Sequence, residues 1–129
     1  MISLRLAGAA LAALCLTQVP AGAQTKATYD TEQAGPLILE FGKDGSVTGE
    51  YPEYQGHIKG TLKGTDRIDG TWWQSKAASD DVKCDKEMNG TLYWGKFTLI
   101  ENADQKGFHG MWGSCDHEPD DPWSGTLKQ

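Results

Sequence analysis

The sequence predicts an all-β fold, an antiparallel up-and-down meander of seven to eight strands that closes into a small barrel. The main observation is a five-residue phrase, written six times, with a central glycine and an apolar residue on each side of it at a distance of two. Residues two apart in a strand point to the same face, so each phrase places apolar, glycine and apolar residues together. The second observation is that turns of hairpin length separate several of the phrases. The third observation is that the sequence shows no helical periodicity of 3.6 residues. The central glycines are Gly49, Gly60, Gly70, Gly90, Gly110 and Gly125.

The N-terminal segment is predicted to be a secretory signal peptide covering residues 1–23. Arg5 gives the positive start, an Ala/Leu run follows from Leu6 to Leu16, and Ala21-Gly22-Ala23 is a small-residue cleavage site. The run is short for a bilayer span, which needs about 20 residues, so an uncleaved anchor is the lesser alternative. We therefore expect one exported β-barrel domain over residues 24–129, periplasmic or extracellular and without stable membrane insertion.

Each strand of the predicted barrel follows from local signals. Asp44-Gly45 separates two alternating runs and indicates a hairpin. Pro52 ends the second run because proline cannot donate to the strand ladder. Two long polar connections, 75–87 and 114–122, interrupt the pattern. The predicted strands are 36–41, 46–51, 57–62, 67–73, 88–100, 107–113 and 122–128. Residues 24–34 are polar and expected to be loose, and the alternative is that Ala27 to Tyr29 pair as an edge strand.

The central glycines of the phrases have two physical explanations. Glycine weakens a strand but lets it coil sharply, which helps a barrel to close, and it leaves room for a large neighbour. If Trp72, Trp94 and Trp112 fill that room, the interior is a packed core. If they leave a void, they line a cavity for an apolar or flat ligand.

The outer face offers a second set of candidate ligand-binding residues. Strand alternation places Trp73, Tyr93 and Met111 opposite to the core aromatics, with His57 and His109 on the same side. Contiguous exposed apolar residues mark partner surfaces, here for a protein or a saccharide. The alternative is that the N-terminal segment or a long connection covers them.

The two cysteines that remain after cleavage are predicted to form a disulfide. Cys84 and Cys115 lie in the two long connections, and an even number of cysteines in an exported domain favours pairing. The bond requires both connections to lie at one end of the sheet. The rival interpretation is metal ligation with His109 and His117, although the cysteine spacing is far wider than in zinc sites.

Charge narrows the range of partners. The net charge of −6 and the absence of a basic stripe argue against nucleic acid and against anionic membrane surfaces. The set of Asp116, His117, Glu118 and Asp120 has the side chains to bind a divalent cation, but a solvated acidic loop is the commoner explanation of such a run. No cofactor is predicted.

Two short stretches resemble the avidin family. They are Asp44-Gly45-Ser46-Val47-Thr48-Gly49-Glu50-Tyr51, similar to an early hairpin, and Trp123-Ser124-Gly125, similar to a later strand. The resemblance implies an exported up-and-down barrel whose mouth binds a small ligand, biotin in that family. This chain is shorter, has a predicted disulfide and does not match the family's polar biotin contacts, so the resemblance implies architecture and not biotin binding.

The sequence thus favours a non-catalytic binding module for a protein, small-molecule or saccharide ligand. The alternatives are a small secreted hydrolase that uses acidic loop residues, and a structural envelope protein without a ligand. Catalysis has little support because no nucleophile elbow, zinc-protease motif or phosphate loop occurs.

Overall fold

A computed structural model describes residues 25–78 and 81–128, and in this range eight antiparallel strands close into one barrel. Neighbouring strands in the chain pair in sequence order, as predicted. The predicted signal peptide, residues 1–23, lies outside the described residues. The strands are β1 (Thr25–Thr31), β2 (Gly35–Phe41), β3 (Ser46–Tyr51), β4 (Gly56–Lys63), β5 (Arg67–Gln74), β6 (Tyr93–Glu101), β7 (Gly107–Ser114) and β8 (Asp121–Leu127).

The first strand closes the barrel, so the expectation of a loose segment, or at most an edge strand, before residue 35 is wrong. β1 pairs along its whole length with β2 and also pairs with β8, from Tyr29 opposite Leu127 to Thr31 opposite Gly125. The Lys128 amide extends this contact by donating to the Thr28 carbonyl at 2.8 Å. Closure gives every strand two neighbours, and the β1–β8 pairing covers three residues of each strand. The start of β1 and the finish of β8 lie at the same end of the barrel, which we call the base.

The opposite end, which we call the mouth, carries the connections that follow the odd-numbered strands. These are the β1–β2 turn, the 3₁₀ turn Pro52–Tyr54 and the two long connections of residues 75–92 and 115–120. The requirement that both cysteine-bearing connections lie at one end is therefore met. Within the described residues, no helix has the length and apolar character needed to cross a membrane.

The middle and the base of the interior are filled by side chains. The most completely buried of them are Leu37, Leu39, Val47, Ile58, Phe97 and Leu99. Larger rings stack above these residues in edge-to-face contacts, with Trp123 perpendicular to Tyr51, Phe97 and Phe108 at centroid distances of 5.8–6.3 Å. Edge-to-face pairs stabilise beyond their buried area by about 0.5–1.5 kcal/mol each. The packed-core interpretation therefore holds for this part of the barrel.

Five of the six phrase glycines lie on the interior face, and both expected reasons for them are found. A methyl group at Gly70 would collide with the Lys59 carbonyl oxygen and the Gly60 α-carbon, which reflects tight coiling of β4 and β5. A methyl at Gly125 would instead lie 2.6 Å from the Phe108 ring. Some glycines thus permit curvature, and others leave room for an aromatic ring.

The remaining phrase, centred on Gly90, is a turn, and the predicted strand over 88–100 is wrong in its first half. Asn89 and Gly90 have φ angles of 53° and 85°, and Met88 and Thr91 exchange backbone hydrogen bonds across them. Asn-Gly favours this two-residue turn because both residues tolerate positive φ. The strand therefore begins at Tyr93, and its alternation is shifted by one residue from the predicted one.

That shift reverses the predicted positions of two aromatic residues. Trp94, expected in the interior, pairs with Trp73 on the outer face, and Tyr93, expected outside, lies opposite Gln74 on the interior face. Trp72 and Trp112 face the interior, and His109 and Met111 face outward, as predicted. A one-residue slip exchanges faces because side chains alternate with period two.

Candidate functional site

The mouth of the barrel contains a cavity of about 240 Å³ above the packed core. Strand β5 contributes two of its residues, β7 and β8 contribute one each, and the mouth connections supply the rest. The lining residues are Gln33, Ala34, Tyr54, Trp72, Gln74, Ala78, Asp81, Trp112 and Trp123. The space is many times larger than the roughly 10–15 Å³ that one water molecule needs. It is suited to a small molecule and too small for a folded peptide.

One wall of this cavity is aromatic and rigidly held. The rings of Trp72 and Trp112 lie at 84° to each other with centroids 5.7 Å apart. The Trp72 indole nitrogen donates to the Gly113 carbonyl at 2.9 Å, which fixes the ring plane. Register explains the position of Trp72, because it lies opposite Gly95 and its indole occupies the space that a side chain there would fill. Two perpendicular ring surfaces therefore form a corner of the cavity.

The other wall is a buried hydrogen-bond network centred on Gln74, which is only 5% exposed. Its Oε1 accepts from the Tyr51 hydroxyl at 2.9 Å, and its Nε2 donates to the Asp81 carboxylate at 2.5 Å and to the Lys76 carbonyl at 3.1 Å. The same carboxylate oxygen accepts from the Ala78 amide at 2.6 Å. The network thereby ties the 75–92 connection to the barrel interior.

The electrostatic character of the cavity is negative. Among the described residues that line it, Asp81 carries a charge and none is a lysine, arginine or histidine. Burial, with the nearby charge of Asp81 adding to it, raises the pKa of Tyr51 far above its ordinary value. The Tyr51 hydroxyl therefore remains a neutral donor to Gln74 at every physiological pH.

Trp123 has an unusual feature. Its indole Nε1 is buried and has no hydrogen-bond acceptor within the part of the chain that the structure describes, although most buried polar groups have one. The ring lies among Tyr51, Phe97 and Phe108, which offer ring faces and edges in place of an oxygen. An unpaired buried donor costs about 1–3 kcal/mol, so the site carries an uncompensated penalty.

The predicted disulfide is present and braces the rim of the mouth. Cys84 and Cys115 are bonded, with their α-carbons 5.6 Å apart and 31 residues between them in sequence. The Cys115 amide donates to the Trp94 carbonyl at 2.7 Å, and the Trp94 indole donates to the Lys86 carbonyl at 2.8 Å. Trp94 is therefore buried beneath the disulfide-bonded connection on the outer face. It belongs to a satellite core and does not line the mouth cavity.

The other candidate binding residues on the outer face lie in two separate regions of the barrel wall. His57 and Trp73 stack with centroids 5.6 Å apart and an interplanar angle of 25°, in a trough of about 330 Å³ across β1 to β5. Met111 is 46% exposed on another part of the wall. His109 lies near it and pairs through Nδ1 with the Asn102 side-chain oxygen at 2.6 Å. The structure thus does not join the predicted outer residues into one patch.

The acidic segment after Cys115 does not assemble a cation site. Among the residues that the structure describes, no three His, Cys, Asp or Glu side chains are grouped so as to hold a metal ion. The segment instead packs by its backbone, with the Glu118 carbonyl oxygen close over Gly113. The structure therefore offers no support for a divalent cation at Asp116, His117, Glu118 and Asp120.

Several residues that line the cavity were not predicted from the sequence. Gln74 lies two positions after Trp72, so continued alternation alone would have placed it on the interior face. Tyr54 and Asp81 come from connections, where no periodic signal operates. Comparison of the chain with protein-family models, with curated proteins and with solved structures gives no match.

Proposed function

We propose that this chain is an exported binding protein that holds a small, flat and largely apolar ligand in the mouth of its barrel. The observation that carries the proposal is the cavity of about 240 Å³ between the perpendicular rings of Trp72 and Trp112 and the Gln74 network. Eight-stranded barrels are either filled by side chains or hold one small ligand. An aromatic lining with a few fixed polar groups is typical of ligand sites.

Export is part of the same proposal. Its supports are the predicted signal peptide at residues 1–23 and the Cys84–Cys115 disulfide, since such bonds persist in oxidising compartments. The avidin resemblance remains a prediction about architecture, and nothing in the cavity is assigned to biotin.

The experiment tests the cavity directly. A panel of small neutral aromatic fragments is titrated into ¹⁵N-labelled protein, and the indole N–H resonances report where each fragment binds. We expect shifts at Trp72 and Trp112 and none at Trp73 or Trp94. Movement of the outer indoles alone would refute the mouth as the site.

A blocking variant makes the test specific. Ala78→Phe adds a ring to the cavity lining without removing a core side chain, and should abolish the shifts at Trp72 and Trp112. Val82→Phe is the matched control, because Val82 is 52% exposed on the same connection and outside the lining. Fragments that bind both variants equally well would contradict the proposal.

A second candidate function is saccharide binding on the outer wall. It is favoured by the stacked His57 and Trp73 in their trough, since a flat aromatic surface packs against sugar rings. Trp73→Ala should then abolish saccharide binding while fragment shifts at Trp72 and Trp112 remain. No observation favours the hydrolase or the structural envelope role.

A further inference from the structure

We infer that the ligand of the mouth is a flat aromatic molecule that carries an N–H or O–H group, such as an indole or a phenol, and donates a hydrogen bond to the side-chain oxygen of Gln74. This inference rests on the proposed function and names the ligand class of the same cavity.

Both amide hydrogens of Gln74 are already used within the protein. Its Nε2 atom donates one to the Lys76 carbonyl at 3.1 Å and the other to the Asp81 carboxylate at 2.5 Å. Carbonyl and carboxylate oxygens only accept, so these two bonds fix the orientation of the amide group. Turning the amide over would place its oxygen against two other acceptors. Gln74 therefore has no hydrogen left to donate to a ligand.

The side-chain oxygen of Gln74 keeps one position for a donor. An amide oxygen has two lone pairs, and among the residues that the structure describes the Tyr51 hydroxyl alone donates to Oε1, at 2.9 Å. Burial raises the pKa of Tyr51 far above its ordinary value, so this hydroxyl keeps its proton and remains a donor. Because Gln74 belongs to the cavity lining, the second lone pair of Oε1 is open to a donor from a bound molecule.

The aromatic wall also has its fixed donor in use. The indole N–H of Trp72 donates to the Gly113 carbonyl at 2.9 Å, so the ring offers a ligand apolar surface, and the perpendicular ring of Trp112 adds a second such surface. The side-chain donors of Gln33, Tyr54 and Trp112 belong to exposed or partly buried residues, where water can act as the acceptor. A planar molecule with a donor at its edge uses both the ring surfaces and the Gln74 oxygen, as in ligand sites where a few polar groups fix the orientation.

The indole nitrogen of Trp123 provides the competing possibility, a ligand that brings an acceptor instead of a donor. Its Nε1 finds no acceptor among the described residues, so a ligand oxygen in contact with it would be stabilised. The Trp123 ring is, however, packed edge-to-face among Tyr51, Phe97 and Phe108 in the core. The oxygen of Gln74 is the better anchor because three hydrogen bonds already hold its amide group in position.

The test compares indole with benzofuran, which has the same flat shape and nearly the same size but carries a ring oxygen in place of the N–H. Benzofuran is the more apolar of the two, so apolar contact alone does not favour indole. Both are titrated into ¹⁵N-labelled protein while the indole signals of Trp72 and Trp112 are followed. We expect indole to bind about threefold to tenfold more tightly, the equivalent of one net hydrogen bond.

Variants identify the acceptor atom. Gln74→Met keeps the length of the side chain and removes its oxygen, so indole should lose its advantage while benzofuran binds at least as tightly as before. Gln55→Met is the matched control, because Gln55 is exposed at the mouth and outside the described lining. Tyr51→Phe removes the hydroxyl and leaves the Gln74 oxygen, so indole should keep its advantage. If Gln74→Met does not fold, Tyr51→Phe and the wild-type comparison still decide.

Each outcome decides a different point. Tighter binding of indole that Gln74→Met removes, and that Gln55→Met and Tyr51→Phe retain, would support the inference. Loss of the advantage in Tyr51→Phe would overturn Gln74 as the acceptor. Equal binding of both probes at Trp72 and Trp112, or tighter binding of benzofuran, would overturn the inference and leave the proposed function intact. If neither probe moves these signals, the inference is also overturned, and the proposed function is then decided by the fragment panel and Ala78→Phe.

Discussion

Two tryptophans of equal burial should respond very differently to replacement by phenylalanine. Trp72 and Trp123 are each 4% exposed, and both line the mouth cavity. Changing either to Phe removes three ring atoms, which costs roughly 2–2.5 kcal/mol at about 0.8 kcal/mol for each buried methylene-sized group. The part of the free energy of unfolding that depends on size is therefore shared by both variants.

The hydrogen bonds make the difference. Trp72→Phe deletes the donor of the 2.9 Å bond to the Gly113 carbonyl and leaves that buried oxygen short of a partner, at a further cost of about 1–3 kcal/mol. Trp123→Phe removes a donor that finds no acceptor among the described residues, which recovers a similar amount. We therefore expect Trp72→Phe to lower the free energy of unfolding by about 2–6 kcal/mol more than Trp123→Phe does.

Urea denaturation at neutral pH, followed by far-ultraviolet circular dichroism, measures this difference without relying on tryptophan fluorescence. Trp73→Phe, on the outer wall, gives the baseline for the loss of an indole outside the core. Equal losses for Trp72→Phe and Trp123→Phe, or a larger loss for Trp123→Phe, would refute the reasoning.

Three further predictions concern the barrel as a whole. Gly70→Ala should lower the free energy of unfolding by more than about 2 kcal/mol, because its methyl group meets the backbone of the neighbouring strand; a neutral effect in a urea titration would contradict this. Replacing Cys84 and Cys115 together by serine should cost about 3–4 kcal/mol in the chain-entropy treatment of a closed loop of this length, and added reductant should then have no further effect on the melting temperature. Burial, reinforced by the charge of Glu101, raises the pKa of Tyr29 from 10.0 to about 12. The associated stability is complete below about pH 10 and is lost as the pH rises through 12, by about 2–3 kcal/mol, so Tyr29→Phe should flatten the alkaline limb of the stability profile.

The sequence allowed the barrel to be predicted because its strands carry their own signals. Alternation around Gly49, Gly60 and Gly70 identifies three strands and their interior face, and each is confirmed by the pairing. Gly90 shows the limit of that rule. Its phrase has the same letters, but Asn89 before it completes a turn signal, and local backbone preference prevailed over the repeated pattern.

The candidate site was only partly predictable, for a physical reason. Trp72 and Trp112 lie in strands, where period two fixes the face. Asp81 and Tyr54 reach the cavity from connections, and their positions depend on contacts with residues distant in sequence, such as the bond between Asp81 and Gln74. Trp94 was misplaced because the turn before β6 shifts the phase of alternation, which a count along the chain does not reveal.

The closure of β1 against β8 also determines how the protein can be attached to something else. Thr25 and Lys128 both lie at the base, and the mouth connections lie at the opposite end of the barrel. A linker, affinity tag or fluorescent partner joined at either of these positions therefore points away from Trp72, Trp112 and Asp81. Molecules immobilised through one end on a sensor surface would all present the cavity to the solution in the same orientation.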